Sequence, residues 1–494
     1  MSRRMRMLAA FLLAWGAIVA ALPACAAGRP LPLELELPVA PVEIELDDCW
    51  IDVRLEADVV PSLKARVTPG AEPGPAPTLE AGESGGRFRI ARVESGDAAA
   101  LPTLSLELVL DRTQALTVRG SRLGLAVRDA AGPSQTTPAA APGQEPAGSE
   151  PSQPAGTVGH RYELVDSEVQ LWGAPGISVT AENTVLYGDS GVGSVVAVLT
   201  LGSLTLRGQQ GVLQLNSTDS ECAVEDLEGN IVYRLTGGSL DVRGGEGRLE
   251  GTTDGGMVSA TGWRGNVSVS GSEATVVLRD GSRGQARITV EDSDVTLDAM
   301  NASLVIELNG GQLSADGLSG SAKIAGTRSS RLVVQDSDGQ LDLTLRGESS
   351  GEVSEATGTV TAALFESSLE IANTRELSLS ADDSRVTAAG IRRLTKLSAR
   401  RSEVELDLRD ASDRSLSLKV PDDVVYSVHL PTPCRVQLHG GSGTSQGVDV
   451  TGCELQLEHM GRWKGAGVRD MDGRRPFLLT ATLAPTGQLR VRGG

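Results

Sequence analysis

Two cysteines and two histidines near the C-terminus have the spacing most suggestive of chemistry. Cys434-Arg-Val-Gln-Leu438 and Cys453-Glu-Leu-Gln-Leu457 stand 19 residues apart in matching contexts, and His439 and His459 trail them. Two readings stay open for the cysteines: a disulfide between neighbouring coils, or two stacked free thiols. Zinc fits poorly, because C-x4-H and C-x5-H are unequal spacings, and on a strand the first sends its two side chains to opposite faces. Asp292-Ser-Asp294, Asp336-Ser-Asp338 and Asp382-Asp383 are acidic turns of a kind that can hold Ca²⁺. The double-glycine signature of calcium-binding nine-residue repeats is missing, however, so they read as solvated turns. The chain has four histidines and no G-x-S-x-G, P-loop or H-E-x-x-H motif. No catalytic residue, metal ligand or cofactor is assigned, and the chain reads as a non-enzyme.

The N-terminus carries chemistry of a different sort. Arg3, Arg4 and Arg6 precede an apolar run from Leu8 to Leu22, the pattern of an export signal over residues 1–26. Ala24-Cys25-Ala26 suits cleavage before Ala27. Leu22-Pro23-Ala24-Cys25 instead resembles a lipoprotein box that would acylate Cys25, although Pro23 departs from the usual pattern. Both processings stay open, and a lipid on Cys25 is the one membrane attachment expected.

The elements that must position these residues are short strands. Aromatic residues make up 3% of the 494 residues while Gly reaches 59, a balance that favours many tight turns joined by strands. A net charge of −19 argues against a nucleic-acid partner, which needs clustered Lys and Arg. Gly202-Ser-Leu-Thr-Leu-Arg-Gly208 recurs as Gly238-Ser-Leu-Asp-Val-Arg-Gly244. An apolar ladder continues through Leu204, Cys222, Leu240, Val258, Val276, Val295, Leu313, Leu332, Val353, Leu369, Val386 and Val404, with spacings of 16 to 21 that average about 18. Four residues after most of these stand Gly208, Asp226, Gly244, Gly262 and Asp280, then Gly317, Asp336, Asn373 and Gly390. Gly, Asn and Asp tolerate positive φ, so this column predicts one turn per coil. A second glycine column (Gly211, Gly229, Gly247, Gly265, Gly284, Gly320, Gly339, Gly358) opens another strand half a period away.

The fold class that follows is all-β: a parallel β-solenoid with rungs of about 18 residues and β-strand caps. The narrow interior is expected to take Val, Leu, Ile and Ala, and to be overpacked by Phe or Trp. Residues 27–129 form an N-terminal β region leading into the coil, since Ala115-Leu-Thr-Val-Arg-Gly120 already matches the rung motif. Six prolines among small polar residues mark 130–158 as a disordered loop or linker, read here as a loop bulging from the rod. The solenoid proper spans 159–420, and 421–494 supplies the last rungs and a cap, with Pro476–Val491 closing the end.

With these motifs the chain resembles the bacterial "putative adhesin" domain family of β-helical envelope proteins. Val42-Glu-Ile-Glu-Leu46, Leu104–Leu110 leading to Ala115–Gly120, the rungs that follow, and Pro485-Thr-Gly-Gln-Leu-Arg-Val491 carry the resemblance. It implies the fold and an exported location at the periplasm, outer membrane or cell surface, and it brings no catalytic residues. The expected function is adhesin-like binding of an envelope or surface ligand, protein or glycan, or a structural role there. A self-assembling scaffold and a polysaccharide-active enzyme are the alternatives.

Overall fold

The computed structural model describes residues 33–37, 40–46, 49–57, 59–68, 78–84, 87–93, 103–111, 114–129, 160–173, 176–413, 415–439, 448–459, 462–465 and 476–494. Among them every regular element is a β-strand. The chain divides into two compact units, residues 1–248 and 249–494. The export signal with Cys25, and residues 130–158, lie outside the described residues.

Unit 1 coils as the repeat requires. Ser203–Arg207 pairs in parallel with Val185–Asp189 before it and Glu221–Glu225 after it, so that Leu186, Leu204, Cys222 and Leu240 stack in one column. These short strands alternate with longer ones, of which Val195–Thr200 lies between Ile177–Glu182 and Gln210–Thr218. Each rung is thus one strand from a short-strand sheet and one from a long-strand sheet. Alternation sends every second side chain inward, as the burial of Leu204, Leu206, Leu213 and Leu215 shows. Arg161 pairs with Thr117 and Val169 with Leu125, so the strands flanking residues 130–159 are direct hydrogen-bonded neighbours.

Unit 2 repeats the pattern and corrects the ladder at one place. Val258, Val276, Val295, Leu313 and Leu332 stack in order, but the next partner of Leu332 is Gly351, and Val353 pairs with Val334 one column over. The column then resumes at Leu369, Val386 and Val404. Glycine broke the apolar signal at 351, which produced the uneven spacings of 21 and 16 in the sequence ladder.

The expected exclusion of Phe and Trp from the interior is also corrected. Trp263 and Phe477 are buried, as are Tyr162, Tyr233 and Tyr426. Large rings fit where their neighbours are small: Val118 and Val179 flank Tyr162 in its column, while Gly265, Gly281, Ala260 and Ala286 surround Trp263.

Each corner needs a left-handed residue. The predicted turn column has φ of +58° at Gly208, +52° at Asp226, +66° at Gly244, +69° at Gly262 and +52° at Asp280. At Gly229 (φ +146°) a Cβ would lie 1.8 Å from the Gly211 carbonyl oxygen, so consecutive rungs approach too closely there for any side chain. The opposite corner shows a device that periodicity did not signal. After its left-handed residue comes a buried Ser or Thr at positions 167, 184, 220, 293, 330, 349, 367, 384 and 402. The amide of the residue following the bend points along the stack, and the hydroxyl of the next rung accepts from it. Leu123 N–H donates to Ser167 Oγ at 3.0 Å, Ala274 to Ser293 at 3.0 Å, Ser330 to Ser349 at 3.2 Å and Ser384 to Ser402 at 3.1 Å. Each hydroxyl in turn donates to a carbonyl of its own rung, as Ser293 does to Glu291 O at 2.6 Å. A buried amide that would otherwise be orphaned is satisfied in this way.

The chain ends do not simply cover the stack. In unit 1 the first parallel strand, Val42–Glu45, lies between Arg87–Val93 and Leu116–Ser121, and Cys49–Glu56 lies between Thr103–Asp111 and Gly124–Asp129. Antiparallel strands Thr78–Ser84 and Ser62–Thr68 then cover the outer rung. In unit 2 the last strands behave alike, which corrects their expected place at the end. Phe477–Leu483 inserts between Ser415–Val420 and Cys434–His439, and Gln488–Gly493 inserts between Val425–Leu430 and Val448–Thr451. Burial of Phe477, Leu479, Leu489 and Val491 drives the insertion, because outside the stack these side chains would face water.

The corner hydroxyls supply a stability test. Ser330→Ala leaves the Gly310 amide, which donates to Ser330 Oγ at 3.1 Å, without an acceptor. Urea unfolding of this variant is expected to show a loss of about 1–3 kcal/mol.

Candidate functional site

The short-strand sheet of unit 1 gathers the outward-facing aromatics. Along each strand alternate residues point outward, although Ala126 is fully covered. In four consecutive rungs these rows read Trp50, Asp52, Arg54; Gly124, Ala126, Arg128; Glu168, Gln170, Trp172; and Val185, Tyr187, Asp189. Among the described side chains four aromatics face outward, and Trp50, Trp172 and Tyr187 are three of them; Phe365 is the fourth.

Each ring is held by a specific neighbour. A Cβ on Gly124 would lie 2.0 Å from Trp50 Cε3, so the indole packs against the glycine backbone of the next rung. Trp50 keeps 38% of its surface exposed. The Arg128 guanidinium sits 4.9 Å from the centre of the Trp172 ring, and that of Arg207 sits 5.9 Å from Tyr187. Arg207 is also paired with Glu225 at 2.8 Å. Gln170 Nε2 donates to Glu168 Oε1 at 2.8 Å, which leaves the Gln170 carbonyl as an acceptor. Asp52 Oδ1 is covered and has no hydrogen-bond donor. From strand and rung spacings, Trp172 and Tyr187 stand about 8 Å apart, and Trp50 about 16 Å from Trp172. The result is a flat platform with rings, acceptors and guanidinium donors.

The residues singled out from sequence fall elsewhere. Cys434 and Cys453 are joined, with Sγ–Sγ 2.01 Å and Cα–Cα 4.9 Å, so neither thiolate is available as a zinc ligand. The carboxylates of Asp382 and Asp383 hold the Arg401 guanidinium, and Asp292, Asp336 and Asp383 supply left-handed bends. Gly208, Asp226, Gly244, Gly262 and Asp280 are corner residues, and Cys25 lies outside the described residues. Sequence reading missed the aromatic platform, because Trp50, Trp172 and Tyr187 are 122 and 15 residues apart and only the stacking register unites them.

A second cluster lies inside the same unit. His160 and Tyr162 are fully buried, and neither the imidazole nitrogens nor the phenol oxygen has a hydrogen-bond partner. Burial lowers the His160 pKa to about 4 and raises that of Tyr162. Burial likewise pushes the Cys222 thiol up to about 11, which leaves it unreactive.

No family model matches the chain, and no curated protein is significantly similar to it. Solved structures similar to it include a "putative adhesin" from Parabacteroides merdae (14% identity, 70% of this chain and 96% of that one, TM-score 0.20). Others are a "putative adhesin" from Parabacteroides distasonis (12%, 69% and 97%, TM-score 0.15) and a "putative cell adhesion protein" from Clostridium sporogenes (7%, 53% and 100%, TM-score 0.15). Overlaps this slight decide neither fold nor function; the fold rests on this chain's own strand pairing.

The buried imidazole gives a pH prediction. Its folded pKa, about 4, lies below the unfolded 6.5, so the unfolded chain binds more protons between those values. This contribution to stability is therefore full above pH 6.5 and is lost as pH falls towards 4, by on the order of 3 kcal/mol. Urea unfolding at pH 7 and pH 4.5 is expected to show that slope in the native chain, and a smaller one in His160→Leu. The strongest candidate site on the described residues is the aromatic platform of unit 1.

Proposed function

We propose that this protein is a non-catalytic, exported β-solenoid of the cell envelope that holds a surface ligand on the short-strand sheet of unit 1. The observation that carries this reading is the concentration of Trp50, Trp172 and Tyr187 in four consecutive rungs of a chain that is 3% aromatic. Exposed aromatic side chains on a rigid sheet supply large contact area at little cost in side-chain entropy, which is what a binding surface needs. A scaffold role would not require them.

Export is supported by the basic and apolar N-terminal run and by the Cys434–Cys453 disulfide, a bond that persists in oxidising compartments. The non-catalytic reading is supported by the way outward carboxylates are used. Glu43 and Glu163 both grip Arg119, at 2.6 and 2.8 Å, and Glu225 grips Arg207, so these acids serve as ties between rungs. The platform itself is a flat surface without a cleft to exclude water from a reacting bond.

Adherence of the purified chain to isolated envelope and cell-surface fractions tests the reading. The Trp50→Ala/Trp172→Ala/Tyr187→Ala triple variant is expected to bind at least about tenfold more weakly, as loss of interface anchors does. Equal adherence of native and variant chains, both folded by circular dichroism, would remove the platform as the binding site.

A further inference from the structure

We infer that the ligand held by this platform is an uncharged carbohydrate chain laid across the rungs, with a pyranose ring stacked on Trp50; this rests on the binding role proposed above and names its ligand class. Trp50 is shaped for the task. Because position 124 is glycine, the Cε3–Cζ3 edge of the indole occupies the space a side chain there would fill, and 38% of Trp50 stays exposed. An exposed indole complements the C–H-rich face of a pyranose, since the negative face of the ring quadrupole attracts the partly positive C–H hydrogens.

Hydroxyl partners stand around it. Gln170, on the same outward face, retains its carbonyl acceptor. Arg128 and Arg207, already ordered against Trp172 and Tyr187, supply N–H donors. A site built from an apolar ring face plus several donors and acceptors matches a polyol better than an apolar ligand.

Charge selects among polymers. Over the five rungs from Cys49–Glu56 to Ser203–Arg207, the outward rows hold three arginines (Arg54, Arg128, Arg207) and four acids (Asp52, Glu56, Glu168, Asp189). Such near balance gives little net field to attract an acidic or basic chain. A peptide adding as a strand would need an unpaired sheet edge. The strands here are paired on both sides, Gly124–Asp129 with Cys49–Glu56 and Glu168–Trp172, and Glu168–Trp172 with Val185–Asp189. The spread of the three rings, about 16 Å across two rungs and four strand positions, suits an extended chain more than a single sugar.

Affinity electrophoresis tests this with the exported chain, run in native gels that contain hydroxyethyl cellulose, barley β-glucan, dextran, yeast mannan or galactomannan. Retardation is expected in at least one gel. It should weaken about tenfold or more in Trp50→Ala, and likewise in Gly124→Leu, whose side chain occupies the space of the indole. Phe365→Ala, in unit 2, should migrate as the native chain does. Retardation in none of the gels, or equal retardation of native chain and Trp50→Ala, overturns the inference. If no gel retards the chain while the triple variant still loses envelope adherence, the carbohydrate assignment falls and the binding face stands, with a protein ligand indicated. If adherence is also indifferent to the triple variant, both fall.

Discussion

A coil that closes in about 18 residues must bend sharply twice, and at each bend the backbone has to turn left-handed while its buried amides still find acceptors. Everything else in the structure depends on that condition being met at every rung. One corner meets it with Gly, Asp or Asn at positive φ, and with a glycine stack so close that the Gly211 carbonyl occupies the space of a Cβ on Gly229. The other meets it with a hydroxyl from the following rung, aimed at the amide that the bend would leave bare. Between corners, parallel pairing carries the hydrogen bonds and places mostly Val, Leu, Ile and Ala in inward columns.

A stack of such rungs is weakest at its ends, where the last strand is bonded on one side only. Both units deal with this by interleaving. Val42–Glu45 and Cys49–Glu56 are held between later rungs in unit 1, and Phe477–Leu483 and Gln488–Gly493 are held between earlier ones in unit 2. These four strands are therefore bonded on both edges, which opposes fraying at either of them. The Cys434–Cys453 bond ties two outer rungs of unit 2 together across the column in which Arg435 meets Glu454.

The repeat was legible in the sequence because its signals are local and periodic. Gly208, Asp226 and Gly244 recur at a fixed offset from Leu204, Cys222 and Leu240, and such columns require nothing beyond counting. The failures were equally physical. Val353 was placed in the Leu332 column because Gly351, the true partner, has no side chain to register in an apolar pattern. Trp263 and Phe477 fall inside, against the expectation for Trp and Phe, because average rung width, not the smallness of particular neighbours, was the guide. The serine ladder escaped because a buried Ser and a solvated turn Ser look alike in sequence. The candidate site could not be read at all, since Gly124 meets Trp50 and Glu168 only after residues distant along the chain are stacked.

Function follows from the same geometry. A rigid parallel sheet fixes outward side chains on a lattice of about 4.8 by 3.3 Å, so three rings and their polar neighbours hold positions without loops or hinges. The platform, the interleaved end strands and the corners all depend on in-register stacking of consecutive rungs. Oxidative cross-linking tests it directly, by pairing cysteines introduced at Thr205 and Ala223, which are partners on adjacent rungs, against cysteines at Thr205 and Gln214, which lie on opposite sheets. The structure predicts a disulfide in Thr205→Cys/Ala223→Cys and none in Thr205→Cys/Gln214→Cys. Absence of the first bond, or formation of the second in its place, would contradict the stacked coil.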